Sequence, residues 1–269
     1  MEKINVQRSR FKATSYFGTI ILCLLTTLLV SGRASAQLTA KANHDHISID
    51  FFYHGGSVSV RGVSDPGTDL IIKITSAEGE QALRKKGKVA GVLWMNVGTL
   101  AFKKVPNLYS LHSTRKIEDI LSTDEMDKNV IGYQALMKHA EAEPATDEGE
   151  KEKWFGEFVK FKESSKLYSV TSGKINLTEN NGTQNYYVLL EWPYQARPDD
   201  YTITVYAVKD HRVVETAETH VSVEQVGMVK SLAGMAKNNG ALYGVVSIMA
   251  ALVAGFGVGM VFRKGGGAH

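Results

Sequence analysis

"RPDDYTITVYAVKDHRVV", Arg197 to Val214, is the stretch that decides the class of fold. A proline turn leads into Tyr201, and β-branched and aromatic residues then alternate along "YTITVYAV" as in a half-buried strand. Lys209-Asp210-His211 supplies a hairpin turn before a second alternating run, "VVETAETHVSVEQV". A tyrosine heading a strand just after a proline turn is similar to the tyrosine corner of immunoglobulin-like sandwiches.

The pattern continues upstream. "QNYYVLLEW" and "KINLTEN" read as strands, as do "ISIDFFY" and "SVSVRGV" on either side of Gly55-Gly56. "TDLIIKITSA" follows the turn-former Asp65-Pro66-Gly67, and "KVAGVLWMNVGTLAFKKV" divides into two strands around Gly98. The period changes after Ser113. Ile117, Ile120 and Leu121 fit a helix, and Ser122-x-x-Glu125 is a capping box ahead of Met126, Val130, Tyr133 and Met137. The acidic run Glu141 to Glu152 reads as a loop, and Trp154, Phe158 and Phe161, with Phe155 and Val159 beside them, form an aromatic stripe on a further helix that packs on a core. The expected architecture is mainly β, an immunoglobulin-like β-sandwich over 37–237 with a helical insertion at about 114–168. Two small β domains joined by helices are the alternative.

The ends of the chain place it. Residues 1–36 have the basic start, apolar run and Ala34-Ser35-Ala36 ending of a secretory signal peptide. Their removal takes five basic residues and one acid from totals of 31 and 28, leaving 26 against 27. A balanced mature chain gives no reason to expect nucleic acid as a partner. The single cysteine, Cys23, leaves with the signal, so the exported chain has no disulfide or thiolate metal site.

At the other end, Leu242 to Phe262 holds 21 residues without a charge, followed by Arg263 and Lys264. At ~1.5 Å per residue such a helix spans roughly 31 Å, the thickness of a bilayer's hydrocarbon. Segment 238–264 is therefore a transmembrane helix with its stop-transfer charges. The positive flank predicts a cytoplasmic tail, 265–269, and a periplasmic domain on a bacterial inner membrane. Ser247, Ala251, Gly255 and Gly259 recur every fourth residue, a small-residue ridge that lets another helix approach closely.

"VAGVLWMNVGTLAFKKVPNLYSLHSTRKIEDI" (Val89–Ile120) and "ALYGVVSIMAALVAGFGVGMVFRK" (Ala241–Lys264) resemble an uncharacterised family of bacterial transmembrane proteins first noted in alphaproteobacteria. Its members carry a signal peptide, a periplasmic region and one C-terminal helix, and are often encoded near sulfite/taurine-exporter-type permeases. The resemblance implies an accessory role beside a permease. It supplies no catalytic residues.

Candidate chemistry is sparse. His44, His46 and His54 are the best metal-like set, although His44 and His46 on a strand would stand ~7 Å apart. Arg84, Lys85, Lys86 and Lys88 are the densest basic cluster, fit for an anion or anionic headgroups, and read as a charged hairpin tip. His112 lies beside Ser113 without the local motif of a catalytic triad. The expectation is a non-enzymatic, membrane-anchored periplasmic protein without a cofactor. Its expected partners are membrane lipid and, through the helix, a permease or a second copy. The alternative is a periplasmic anion- or metal-binding module.

Overall fold

The computed structural model describes residues 37–89, 91–144, 147–180 and 182–263. Residues 1–36, read from the sequence as a signal peptide, Lys264 and residues 265–269 lie outside the described residues. The strands, in order, are β1 (Lys41–Ala42), β2 (His46–Ile49), β3 (Gly56–Ser64), β4 (Asp69–Thr75), β5 (Glu78–Val89), β6 (Leu93–Pro106) and β7 (Tyr109–Ser113). Helices α1 (Ile117–Ile120), α2 (Thr123–Asn129) and α3 (Tyr133–His139) follow, then β8 (Glu141–Glu143) and α4 (Glu148–Ser164). After them come β9 (Tyr168–Ser172), β10 (Asn176–Asn180), β11 (Thr183–Trp192), β12 (Asp199–Lys209) and β13 (Arg212–Gln225), then α5 (Gly227–Asn238) and α6 (Gly240–Arg263). The chain is mainly β with one apolar C-terminal helix.

Among the described residues the strands form three sheets, ordered β1-β3-β11-β10, β2-β13-β12-β4-β7-β9 and β5-β6-β8. Alternation in β11 buries Gln184, Tyr186, Val188, Leu190 and Trp192, which pair across to Ser64, Gly62, Val60, Val58 and Gly56. That face meets Ile72, Ile74, Ile203, Val205 and Val221 of the six-stranded sheet, with Trp192 edge-on to Tyr201 at 4.9 Å between ring centres. Gln184 is buried but satisfied. Its amide donates to Ser64 Oγ (3.1 Å) and the Thr68 carbonyl (2.8 Å), tying down the Pro66-Gly67 turn.

Tyr201 makes the corner hydrogen bond expected of it, its hydroxyl donating to the Arg197 carbonyl at 2.7 Å. Asp210 and His211 both have positive φ, so β12 and β13 join through a tight turn whose twist suits a hairpin. The central strands of the six-stranded sheet are buried on both faces. Ile71 and Tyr206 look the other way, toward the helical layer, where Lys73 Nζ donates to the Asn129 carbonyl at 2.7 Å and sits over the Tyr206 ring.

Between Ser122 and Met137 the periodicity predicts one helix; the structure has two. α2 ends at Val130 (φ 49°), and α3 begins after Gly132 (φ 93°). The Tyr109 hydroxyl fills the gap, donating to the Val130 carbonyl and accepting from the Gly132 amide, each at 2.8 Å. The capping box is half made. Ser122 Oγ accepts from the Glu125 amide, but the Ser122 amide goes to the His211 carbonyl, so Glu125 has nothing to return to.

Other expectations change as well. The acidic run contains β8 and the first turn of α4, because Asp147 caps that helix and carboxylates near its N-terminus complement the dipole. On α4 the core face is Phe155, Phe158, Val159 and Lys162, while Phe161 is 57% exposed and Trp154 only half-buried. Phe102 of β6 meets Phe155 and Phe158 there, each at 5.4 Å. Lys162 is buried without a carboxylate, its ammonium satisfied by Gln81 Oε1 (2.9 Å) and by both oxygens of Asn107. Desolvation pulls its pKa down to about 8. Finally, β6 runs through Gly98 unbroken; Val97 is a bulge residue, and the turn lies near Gly91. Segment 227–237, taken with the β region, is the amphipathic helix α5.

Candidate functional site

β7 and β9 pair in parallel, in register from Tyr109↔Tyr168 to Ser113↔Ser172. Side chains of the same rank therefore stand side by side. Ser110 Oγ lies 2.6 Å from Ser169 Oγ and 3.1 Å from His112 Nε2, while His112 Nδ1 lies 2.6 Å from Thr171 Oγ1. The network closes when His112 holds its proton on Nδ1. Thr171 then accepts that proton's hydrogen bond and donates to the Leu111 carbonyl, and Ser110 donates to Nε2. The row lines a cleft of about 720 Å³ between this sheet edge and the end of β11, with Lys166 and Lys174, Glu163 and Glu191 also on its walls. Trp192 forms part of the wall, and its Nε1 is buried without a hydrogen-bond partner.

His112 is 7% exposed, and burial, helped by Lys174, lowers its pKa to about 4. Such an imidazole is a poor acceptor for a serine proton at neutral pH, and its other nitrogen meets a threonine rather than a carboxylate. The row is better suited to hydrogen-bonding a ligand than to nucleophilic attack. The linkage has a definite sign. The fold holds the imidazole neutral, whereas the unfolded chain takes up the proton near pH 6.5, so stability falls as pH drops from 6.5 to 4. We expect a loss of ~3 kcal/mol over that window, measured by denaturant titration. His112→Gln should flatten that part of the profile; parallel slopes for the two proteins would contradict the assignment.

Sequence reasoning passed over this row, although a signal was present. "YSLHS" (Tyr109–Ser113) and "YSVTS" (Tyr168–Ser172) are near-repeats, as two strands paired in parallel register can be.

The residues singled out from sequence are spread over the molecule. His44 lies between strands, His46 opens β2, and His54 reaches the cleft wall with Nδ1 against the Phe52 carbonyl. Among the described residues no three metal-ligating side chains come together. The basic cluster lies along β5 rather than at a turn. Arg84, Lys86 and Lys88 share one exposed face, while Lys85 points the other way, to Glu150 (2.8 Å) and the Trp154 ring (4.7 Å). On α6, Ala251, Gly255 and Gly259 line a shallow groove of about 480 Å³ with Leu252, Phe256 and Met260. A Cβ added at Gly255 or Gly259 would meet nothing within 4 Å. Ser247 sits one turn earlier, its hydroxyl donating to the Tyr243 carbonyl at 2.8 Å, which satisfies its proton within the helix.

Helix α6 holds the one described segment long and apolar enough to cross a membrane, Gly240–Met260, 21 residues with a mean hydropathy of 2.1 and none of it buried. A family model described as "Putative transmembrane protein (Alph_Pro_TM)" matches residues 37–264, from the first described residue through this helix. The chain belongs to that family. Membership covers the β region and the helix together, so the anchor is part of the family's architecture. No curated protein and no solved structure is matched by the chain.

Proposed function

We propose that this family member is a single-pass protein of the bacterial inner membrane, with its domain in the periplasm and its C-terminus in the cytoplasm. In that reading 1–36 is a cleaved signal peptide, and the β region is an immunoglobulin-like sandwich, a view supported by the Tyr201 corner. It acts as a non-enzymatic interaction subunit, packing α6 against an integral-membrane partner, a permease or a second copy. The observation that carries the proposal is the open groove along Ala251, Gly255 and Gly259, where a second backbone can approach without displacing a side chain.

One set of fusions tests both parts. Reporter halves that complement only in the cytoplasm, fused after His269, read self-association, and the intact reporter there reads orientation alone. Mild-detergent purification reads a co-purifying permease. Gly255→Leu with Gly259→Leu should insert normally yet lose whichever association the wild type shows, by about tenfold, equivalent to ~1.4 kcal/mol of packing. Val253→Leu with Val258→Leu, off the ridge, should keep it. A silent intact reporter sinks the orientation, and equal association of all three proteins sinks the interface.

A second reading, a periplasmic anion-binding module, is supported by the cleft, where Lys166 and Lys174 stand near the His112 row and Trp192 Nε1 lacks an acceptor. An anion held there favours the protonated imidazole. The lower edge of the pH window over which stability is lost should then move upward in added sulfate; an unchanged edge counts against the module.

A further inference from the structure

The distal half of the β5–β6 hairpin, Arg84 to Thr99, extends past the short strand β8, which pairs only with Ala101 to Lys103. A two-stranded ribbon of this kind is marginal in water unless something covers it. Its two faces differ sharply. Arg84, Lys86 and Lys88 stand on one face with Trp94, and Lys88 Nζ lies 5.5 Å from the centre of the Trp94 ring. Val89, Leu93, Met95 and Val97 stand on the other, Val97 folded over Gly87, where a Cβ would come within 2.8 Å of it. Val92, at the turn, is 81% exposed, Trp94 66% and Val97 56%.

We propose that this hairpin docks on the surface of the bilayer that holds α6, its turn and apolar face entering the acyl boundary and its basic face meeting anionic phospholipid headgroups. Three features support lipid over a protein partner. Lys and Arg on stems of three or four methylenes reach headgroups from a buried backbone, and tryptophan favours the interface. Each basic residue near an anionic surface adds attraction, so Arg84, Lys86 and Lys88 together match a charged membrane. Finally, β5 is an edge strand, and a row of like charges along an edge opposes pairing with a second copy of itself. Anchorage through α6 keeps the hairpin near the surface at high effective concentration, so weak contacts suffice. The proposal uses only the membrane anchorage of α6, not the partner assigned to its groove.

The test uses the full chain, with Cys23→Ser and Val92→Cys carrying an environment-sensitive dye, reconstituted in vesicles of phosphatidylcholine with or without phosphatidylglycerol. With phosphatidylglycerol present, dye emission should shift to the blue and be quenched several-fold by nitroxide-labelled lipid. Lys86→Glu with Lys88→Glu should abolish the shift, and Leu93→Asp should do so without touching the basic face. All variants should resist alkaline extraction, which reports α6 alone. Water-like emission in both vesicle types overturns the proposal. A blue shift indifferent to nitroxide lipid also overturns it, because a protein surface would then cover the hairpin.

Discussion

Gly62→Ala is expected to detach the N-terminal edge of the four-stranded sheet and to lower stability by about 3 kcal/mol, at the upper end for an overpacked site. A Cβ at this position would stand 1.8 Å from the Thr39 carbonyl oxygen and 2.8 Å from the Tyr186 ring. The obstacle is backbone, so no rotamer change relieves it. Thr39 is held in place by its amide on the Val63 carbonyl, by its own hydroxyl accepting from the Val63 amide (both 3.0 Å), and by the Tyr186 hydroxyl donating to its carbonyl at 2.6 Å. Moving it releases all three bonds, the β1 pairing and the burial of Leu38. Denaturant unfolding gives the energy, and hydrogen exchange should show the Thr39 and Val63 amides losing protection first. Gly79→Ala, where a Cβ meets nothing within 4 Å, is the control. Equal stability of the two variants would refute the steric account.

Tyr109→Phe removes one oxygen and leaves the ring packed against Tyr168 and Tyr133. It strands the Val130 carbonyl and the Gly132 amide at the break between α2 and α3. Two backbone groups losing their partner at a part-buried site cost about 1–3 kcal/mol. Limited proteolysis should then cut first between Asn129 and Tyr133. Tyr133→Phe is the contrast, since that hydroxyl meets Glu163 at an exposed position and its loss should cost under ~1 kcal/mol. A Tyr109→Phe protein as stable as wild type, or cut elsewhere first, would contradict the role given to this hydroxyl.

Much of the β framework was legible because its strands obey one rule. β11 and β12 alternate or run apolar according to whether one face or both are covered, and Tyr201 and the Asp210-His211 turn carry local signatures. The membrane helix was legible for a similar reason, since its whole circumference is apolar. Where the reading failed, a distant partner decided the outcome. The spacing from Met126 to Met137 suits one helix, and only Tyr109, brought in by β7, makes the break at Gly132 favourable. Gly98 looks like a turn, but the pairing of Lys85 with Gly98 continues the strand through it. The cleft was the hardest to foresee. Ser110 and His112 meet Ser169 and Thr171 across 59 residues of chain, through a parallel pairing whose trace in the sequence is only the near-repeat of two five-residue strands.

The parallel contact of β2 with the end of β13 bears on the order of events during synthesis. His46 to Ile49 belong beside Ser222 to Gln225, so one of the earliest strands finds its neighbour only when the last has emerged. Until then that border of the six-stranded sheet is open. The stretch that closes it is followed at once by α5 and α6. Completion of the domain thus shortly precedes arrival of its anchor at the membrane, and a chain that ends before Ser222 lacks both its anchor and a closed sheet.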